Sequence, residues 1–299
     1  MKKNMCLMMV ILMCLVVLAG CGGLQVKETT ELEESGKKTE EADEKEPEEL
    51  KIVTAEEPEL EDTGNGKGTE NSGGENEGEQ AENPEKKGIL IALDPGHQGP
   101  NVDMSAQEPN APGSGVMKTK ATGGTSGRFT GIPEYQLNLD IALMVRDRLT
   151  ALGYDVIMTR EDNDTAISNA ERAALANDAG ADISVRIHAN GSESSSANGA
   201  LVLIGSASNP YVGGLYDSSS RLAETVLNAY CASTGMQNLG IQVNDTMTGI
   251  NWSKIPVIIL EMGFMTNEQD DRNMADASFR EKMADGIVNG INVYYGVAQ

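Results

Sequence analysis

Short, almost continuously apolar runs recur along the C-terminal two thirds of the chain. Between them apolar positions return at three- and four-residue spacing. The runs at 89–93, 155–159, 183–187, 200–204 and 257–260 are rich in Ile, Val and Leu. Unbroken apolar character is expected of strands covered on both faces, as in parallel sheets. After the first run, Leu137, Ile141, Val145, Leu149 and Leu152 mark one face of a helix that Glu134 opens and Gly153 stops. Further helices are predicted over 167–179, 215–233 and 278–295, the last with Ser278-Phe-Arg-Glu281 as a capping box. The alternation predicts one α/β domain over 88–299, with three α/β/α layers around a mostly parallel, twisted sheet.

One segment breaks the pattern. Residues 98–133 carry Gly99-Pro100, Pro109, Pro112-Gly-Ser-Gly115, Gly123-Gly124 and Gly131, which leaves little room for helix or strand. Connections this long inside a compact domain are usually functional or disordered, and since this one leaves from His97 and returns to Glu134, a site loop or lid is expected here.

The first 87 residues read differently. Lys2 and Lys3 precede an apolar stretch from Met5 to Ala19, too short to span a bilayer and better read as a signal peptide over 1–20. It ends in Leu18-Ala-Gly-Cys21, which resembles the lipobox of bacterial lipoproteins. That resemblance implies cleavage before Cys21, lipid on its sulfur, and an exported protein anchored to the outer face of a bacterial membrane, facing the cell wall. Several acyl chains on one residue would make the attachment stable. Residues 21–87 contain runs such as Glu40-Glu-Ala-Asp-Glu-Lys-Glu-Pro-Glu-Glu49. Low hydrophobicity with high charge predicts a disordered acidic tether. A flexible chain of about 65 residues spans on the order of 45 Å.

Charge and cysteines narrow the picture further. Net charge is −23, and the folded part is acidic as well as the tether, which argues against nucleic-acid binding. With Cys6 and Cys14 in the leader and Cys21 lipidated, Cys231 is left alone and no intrachain disulfide is expected.

The candidate chemistry rests on the chain's only two histidines. His97 ends Gly88-Ile-Leu-Ile-Ala-Leu-Asp-Pro-Gly-His97, and His188 ends Ile183-Ser-Val-Arg-Ile-His188. Both follow strand-like runs, and open parallel sheets collect their chemistry at the carboxyl ends of strands. Glu134 opens a helix, where the dipole favours a carboxylate anion, and Glu261 closes the last apolar run. Two His and one Glu make a three-ligand zinc set with an open position, and the second Glu stays free to move protons.

Four ordered motifs carry a closer resemblance. They are Leu93-Asp-Pro-Gly-His97, Pro133-Glu134 with Asn138-Leu139, Arg186-Ile-His188-Ala-Asn190, and Leu260-Glu261-Met-Gly-Phe264 with Asn267. Together they resemble the zinc-dependent N-acetylmuramoyl-L-alanine amidases of the amidase-3 type. The resemblance implies that His97, Glu134 and His188 bind Zn2+ and that Glu261 is the catalytic acid/base. It implies a peptidoglycan substrate, cut at the amide between N-acetylmuramic acid and L-alanine of the stem peptide. Asn138, Arg186 and Asn190 are expected to orient ligands or substrate. Gln98-Gly99-Pro100 departs from the family's usual Gly-Gly after the first His, and the interval from His97 to Glu134 is long, so the groove should have its own shape. The alternatives at this point are another cell-wall zinc peptidase and a surface-tethered wall-binding protein without turnover.

Overall fold

The computed structural model describes residues 85–297. The leader, Cys21 and almost all of the 21–87 tether lie outside these described residues.

The strands are β1 (Leu90–Pro95), β2 (Gln107–Pro109), β3 (Met117–Thr119), β4 (Asp155–Met158), β5 (Ile183–Asn190), β6 (Ala200–Ile204), β7 (Asn238–Val243) and β8 (Val257–Phe264). The helices are α1 (Glu134–Ala151), α2 (Asn169–Asp178), α3 (Tyr216–Thr234), α4 (Thr248–Asn251), α5 (Glu268–Ala275) and α6 (Ala277–Tyr294). Six strands form one sheet in the order β4-β1-β5-β8-β6-β7. The neighbours from β4 to β8 are parallel, β6 runs antiparallel to β8, and β7 is parallel to β6. The mostly parallel three-layer domain is therefore present.

Alternation of side chains across the pleat sorts the core into two halves. Ile91, Leu93, Val185, Ile187, Ile258 and Leu260 pack beneath α1, α3 and α6. On the other face Ala92 and Ile157 meet Ala176 of α2, and Leu201, Val257 and Ile259 meet Ile250 of α4. That second layer is thin towards the carboxyl ends of β5 and β8, because α4 is a single turn. The thin place leaves room for a groove.

Two local expectations are corrected. Residues 98–133 include an antiparallel hairpin, β2 with β3, paired from Gln107↔Thr119 to Pro109↔Met117. The cap of α6 is Asp276, whose side chain accepts from the Phe279 N–H, while Ser278 donates to that same carboxylate. The capping box lies instead at α2, where Ser168 and Glu171 satisfy each other's backbone N–H.

Candidate metal centre and groove

β1 ends in Asp94-Pro95, and the chain then turns sharply enough that His97 takes φ 63°, the one non-glycine positive φ among the described residues. An L-residue rarely holds this conformation without surrounding restraint. The restraint is visible. Arg160 donates through Nε to the Pro95 carbonyl (2.8 Å) and through Nη2 to the Gly96 carbonyl (3.0 Å). Arg172 donates to the carbonyls of Pro95 and His97, both at 2.8 Å. Asn138 on α1 adds a third donor to this turn, at 3.2 Å from the Gly96 oxygen. A side chain at 96 would be driven into the His188 ring, 2.2 Å from its Nε2, so only glycine permits this approach.

The turn delivers His97 to a cluster with Glu134 and His188, whose ligating atoms lie within 4.8 Å of one another. Glu134 Oε1 is 3.1 Å from His97 Nε2 and 3.2 Å from His188 Nδ1. Its second oxygen accepts from the Thr125 N–H at 2.9 Å, and the Glu134 N–H returns a bond to the Thr125 carbonyl. His97 Nδ1 sits 2.8 Å from the Thr122 carbonyl. Donation there fixes the tautomer and leaves the Nε2 lone pair facing Glu134. These three residues could hold a metal ion.

The electrostatics agree with a ligand set. Burial would raise the Glu134 carboxyl, but hydrogen bonds to His188 and His97 hold it well below the usual carboxylate range, so it is an anion. Burial pushes His188 down to about 4 against the pull of Glu134, so its imidazole is neutral and free to donate a lone pair. Glu261 behaves in the opposite way. Burial first and the Glu134 anion second push it up to about 8, with Arg186 opposing.

Beside the cluster opens a cavity of about 400 Å³. Its lining brings together His97, His188 and Glu261, Arg186 of β5, Lys118 and Thr119 of β3, and Thr248 and Gly249 of α4. The hairpin is a fixed wall rather than a loose lid. Trp252 Nε1 donates to the Pro109 carbonyl (2.9 Å), Thr248 Oγ1 to Asn110 (3.1 Å), and the Ala170 N–H at the start of α2 to the buried Glu108 (3.2 Å).

The remaining candidates divide. Asn138 is fully buried, touches both the Gly96 carbonyl and Glu134 (3.4 Å), and so positions two parts of the centre. Arg186 donates through Nε to Asp94 (2.6 Å) and through Nη2 to Asn169 (2.7 Å). Asn190 turns its side chain back onto the Gly191 N–H, a loop tie outside the cavity wall. Cys231 on α3 is half-buried, and burial pushes its thiol up to about 11, which makes it a poor nucleophile.

Arg160, Arg172, Thr122 and Lys118 are positioning or lining residues that the motifs do not flag. Arg172 alone left a trace in the sequence, a charged residue one turn before Ala176 on the apolar stripe of α2.

The chain is similar to known proteins in sequence and in fold. The N-acetylmuramoyl-L-alanine amidase family model, amidase-3, matches residues 91–293. The N-acetylmuramoyl-L-alanine amidase LytC of Bacillus subtilis is 34% identical over 186 residues, 62% of this chain but only 34% of that protein. The amidase Rv3717 of Mycobacterium tuberculosis is 29% identical over 212 residues, covering 68% of this chain and 85% of that protein. Among solved structures, the amidase Ami1 of Mycobacterium smegmatis superposes with a TM-score of 0.64 at 30% identity, covering 72% of this chain and 100% of Ami1. Residues 91–293 are thus an N-acetylmuramoyl-L-alanine amidase domain, and the chain belongs to that family.

Proposed function

We propose that this chain is a zinc-dependent peptidoglycan hydrolase that cleaves the amide between N-acetylmuramic acid and the L-alanine of the stem peptide. We further propose that a lipid on Cys21 and the acidic tether hold it outside a bacterial membrane, within reach of the wall. The observation that carries the catalytic reading is the convergence of His97, Glu134 and His188 beside the half-buried Glu261.

The donor set fits zinc. Donors about 2.1 Å from a tetrahedral zinc would stand about 3.4 Å apart, near the 3.1 and 3.2 Å that separate Glu134 Oε1 from the two imidazole nitrogens. The Thr122 carbonyl behind His97 and Asn138 behind Glu134 are the outer contacts such ligands need. When bound, zinc supplies Lewis acidity that polarises a carbonyl and acidifies water towards a pKa of about 7.

The protein's own groups do the rest. Glu261 takes a proton from the attacking water and returns it to the departing alanine nitrogen, so that hydroxyl ends on the lactyl carbon as the C–N bond breaks. A carboxyl raised towards neutrality is suited to both transfers, and such a group is typically worth about 10² to 10⁴ in rate. The groove past His188 receives the stem peptide.

Mass spectrometry of fragments released from purified wall by the detergent-solubilised chain tests this. Peptides with a free L-alanine amine and glycan without peptide are expected. New termini elsewhere in the stem would identify a peptidase instead, and an unchanged wall a binding protein.

A further inference from the structure

The cavity holds an arginine whose surroundings are not those of a purely structural ion pair. Arg186 is 4% exposed, yet it lines the groove. Its Nε is committed to Asp94 and its Nη2 to Asn169, while Nη1 has no hydrogen-bond partner among the described residues. Nη1 lies against the backbone of Gly249, where even a Cβ would sit 1.4 Å from it. The absence of a side chain at 249 therefore lets the guanidinium edge reach the cavity.

The charge balance favours an incoming anion. Asp94 answers two guanidinium groups, Arg172 and Arg186, so this buried cluster keeps an excess of positive charge. Uncompensated buried charge is costly unless a partner arrives. Lys118, exposed on β3 and lining the same cavity, makes no ion pair among the described residues. Glu261 is the only carboxylate that lines the cavity. In a chain with net charge −23, a groove with two available cations is a local exception.

We propose that Arg186 and Lys118 form a carboxylate subsite that reads a free carboxylate of the stem peptide. This rests on the amidase reading above and extends it to substrate choice. Arg186 and His188 lie two residues apart on one face of β5, with backbones about 6.6 Å apart along the strand. In an extended stem, the α-carboxylate of the second residue lies no more than about 6 Å from the scissile nitrogen. The carboxylate of a third-residue diamino diacid lies farther out. We assign the subsite to the second residue, an isoglutamate rather than its amide, isoglutamine, because that carboxylate is the nearest one to the scissile bond. Planar guanidinium edges suit carboxylates, and Lys118 adds a point charge to the same cavity.

The test compares kcat/KM of the zinc-loaded full chain on three muramoyl tripeptides: isoglutamate–diaminopimelate, isoglutamine–diaminopimelate and isoglutamate–lysine. Amidating the second residue should lower kcat/KM about tenfold, chiefly through KM, while lysine at the third should change it about twofold or less. The reverse pattern supports the subsite but assigns it to the third-residue carboxylate. Because Arg186 is buried in an ion pair, the variants are Lys118→Gln on the exposed hairpin and Gly249→Ala. Each should shrink the preference of wild type for the carboxylate substrate at least about threefold. Cleavage of all three substrates alike, or a preference untouched in both variants, overturns the subsite and leaves the amidase reading standing. If none of the three releases an alanine amine, both fall.

Discussion

His188 and Glu261 are direct register partners on the adjacent parallel strands β5 and β8. Paired residues of neighbouring strands point to the same face, about 4.8 Å apart at the backbone. One of the pair joins the cluster with His97 and Glu134, and the other lines the cavity beside it. The proposed ligand and the proposed proton carrier thus come from one structural unit, the sheet itself.

This pairing separates metal binding from proton transfer. His97→Ala and His188→Ala should be metal-poor and inactive, since three protein ligands are the norm for a catalytic zinc site. Glu261→Gln keeps its size but accepts no proton, so zinc content near wild type with activity lower by about 10² or more is expected. Metal analysis beside wall turnover decides it. Loss of zinc from Glu261→Gln with retention in Glu134→Gln would reverse the two glutamates.

The same carboxyl predicts a pH dependence of the metal-free protein. Its folded pKa, about 8, lies above the ordinary 4.5, so the fold favours the protonated form. The resulting stability is fully present below about pH 4.5 and is lost as pH rises through about 8. Glu261→Gln stays neutral throughout. With chelator present, its Tm should match wild type near pH 4 and exceed it near pH 9 by a few degrees. A difference independent of pH would remove the buried-charge explanation.

Beneath the centre, Asp94 bonds Arg172 at 2.5 Å and Arg186 at 2.6 Å. These cations hold its carboxyl far below the ordinary range despite complete burial. Asp94→Asn would leave two buried guanidinium groups without an anion, a loss of about 3–5 kcal/mol by analogy with broken buried pairs. Denaturant melts at neutral pH should show the fall. It should be accompanied by weaker zinc retention, because Arg172 also holds the His97 carbonyl.

How much of this is legible in the sequence depends on the range of the interaction. β1, β5, β6 and β8 are buried central strands and β4 is a largely buried edge strand, so their composition reveals them. β7 is a largely exposed edge strand interrupted by Gly240 at φ 80°, and it shows no apolar run. β2 and β3 have three residues each, too few for a period. The two histidines stand out because strand ends position them. Arg160 and Thr122 do not, because they act through backbone carbonyls and backbone contacts, which leave no mark on residue type.

The anchor is tested on the whole chain. Cys21→Ser should abolish lipid labelling and processing before residue 21, while wild type takes up radioactive palmitate and partitions into detergent. Recovery of unlabelled wild type in the medium would contradict the lipoprotein reading.

The last prediction concerns the hairpin. Two features of residues 98–133 have separable duties. Thr122 and Thr125 contact His97 and Glu134, whereas the hairpin contributes Lys118 and Thr119 to the groove and is fastened to α4 through Pro109 and Asn110. Replacing residues 106–119 by a short Gly-Ser link while retaining Thr122 and Thr125 should therefore leave the ligand set intact. Zinc content should stay near wild type while turnover of intact wall falls about tenfold, equivalent to about 1.4 kcal/mol of lost transition-state binding. Substrate positioning by a fixed wall accounts for a loss of this size without any change at the metal. Loss of zinc in step with activity would show instead that the hairpin supports the ligands, and full turnover would show that it is dispensable to the groove.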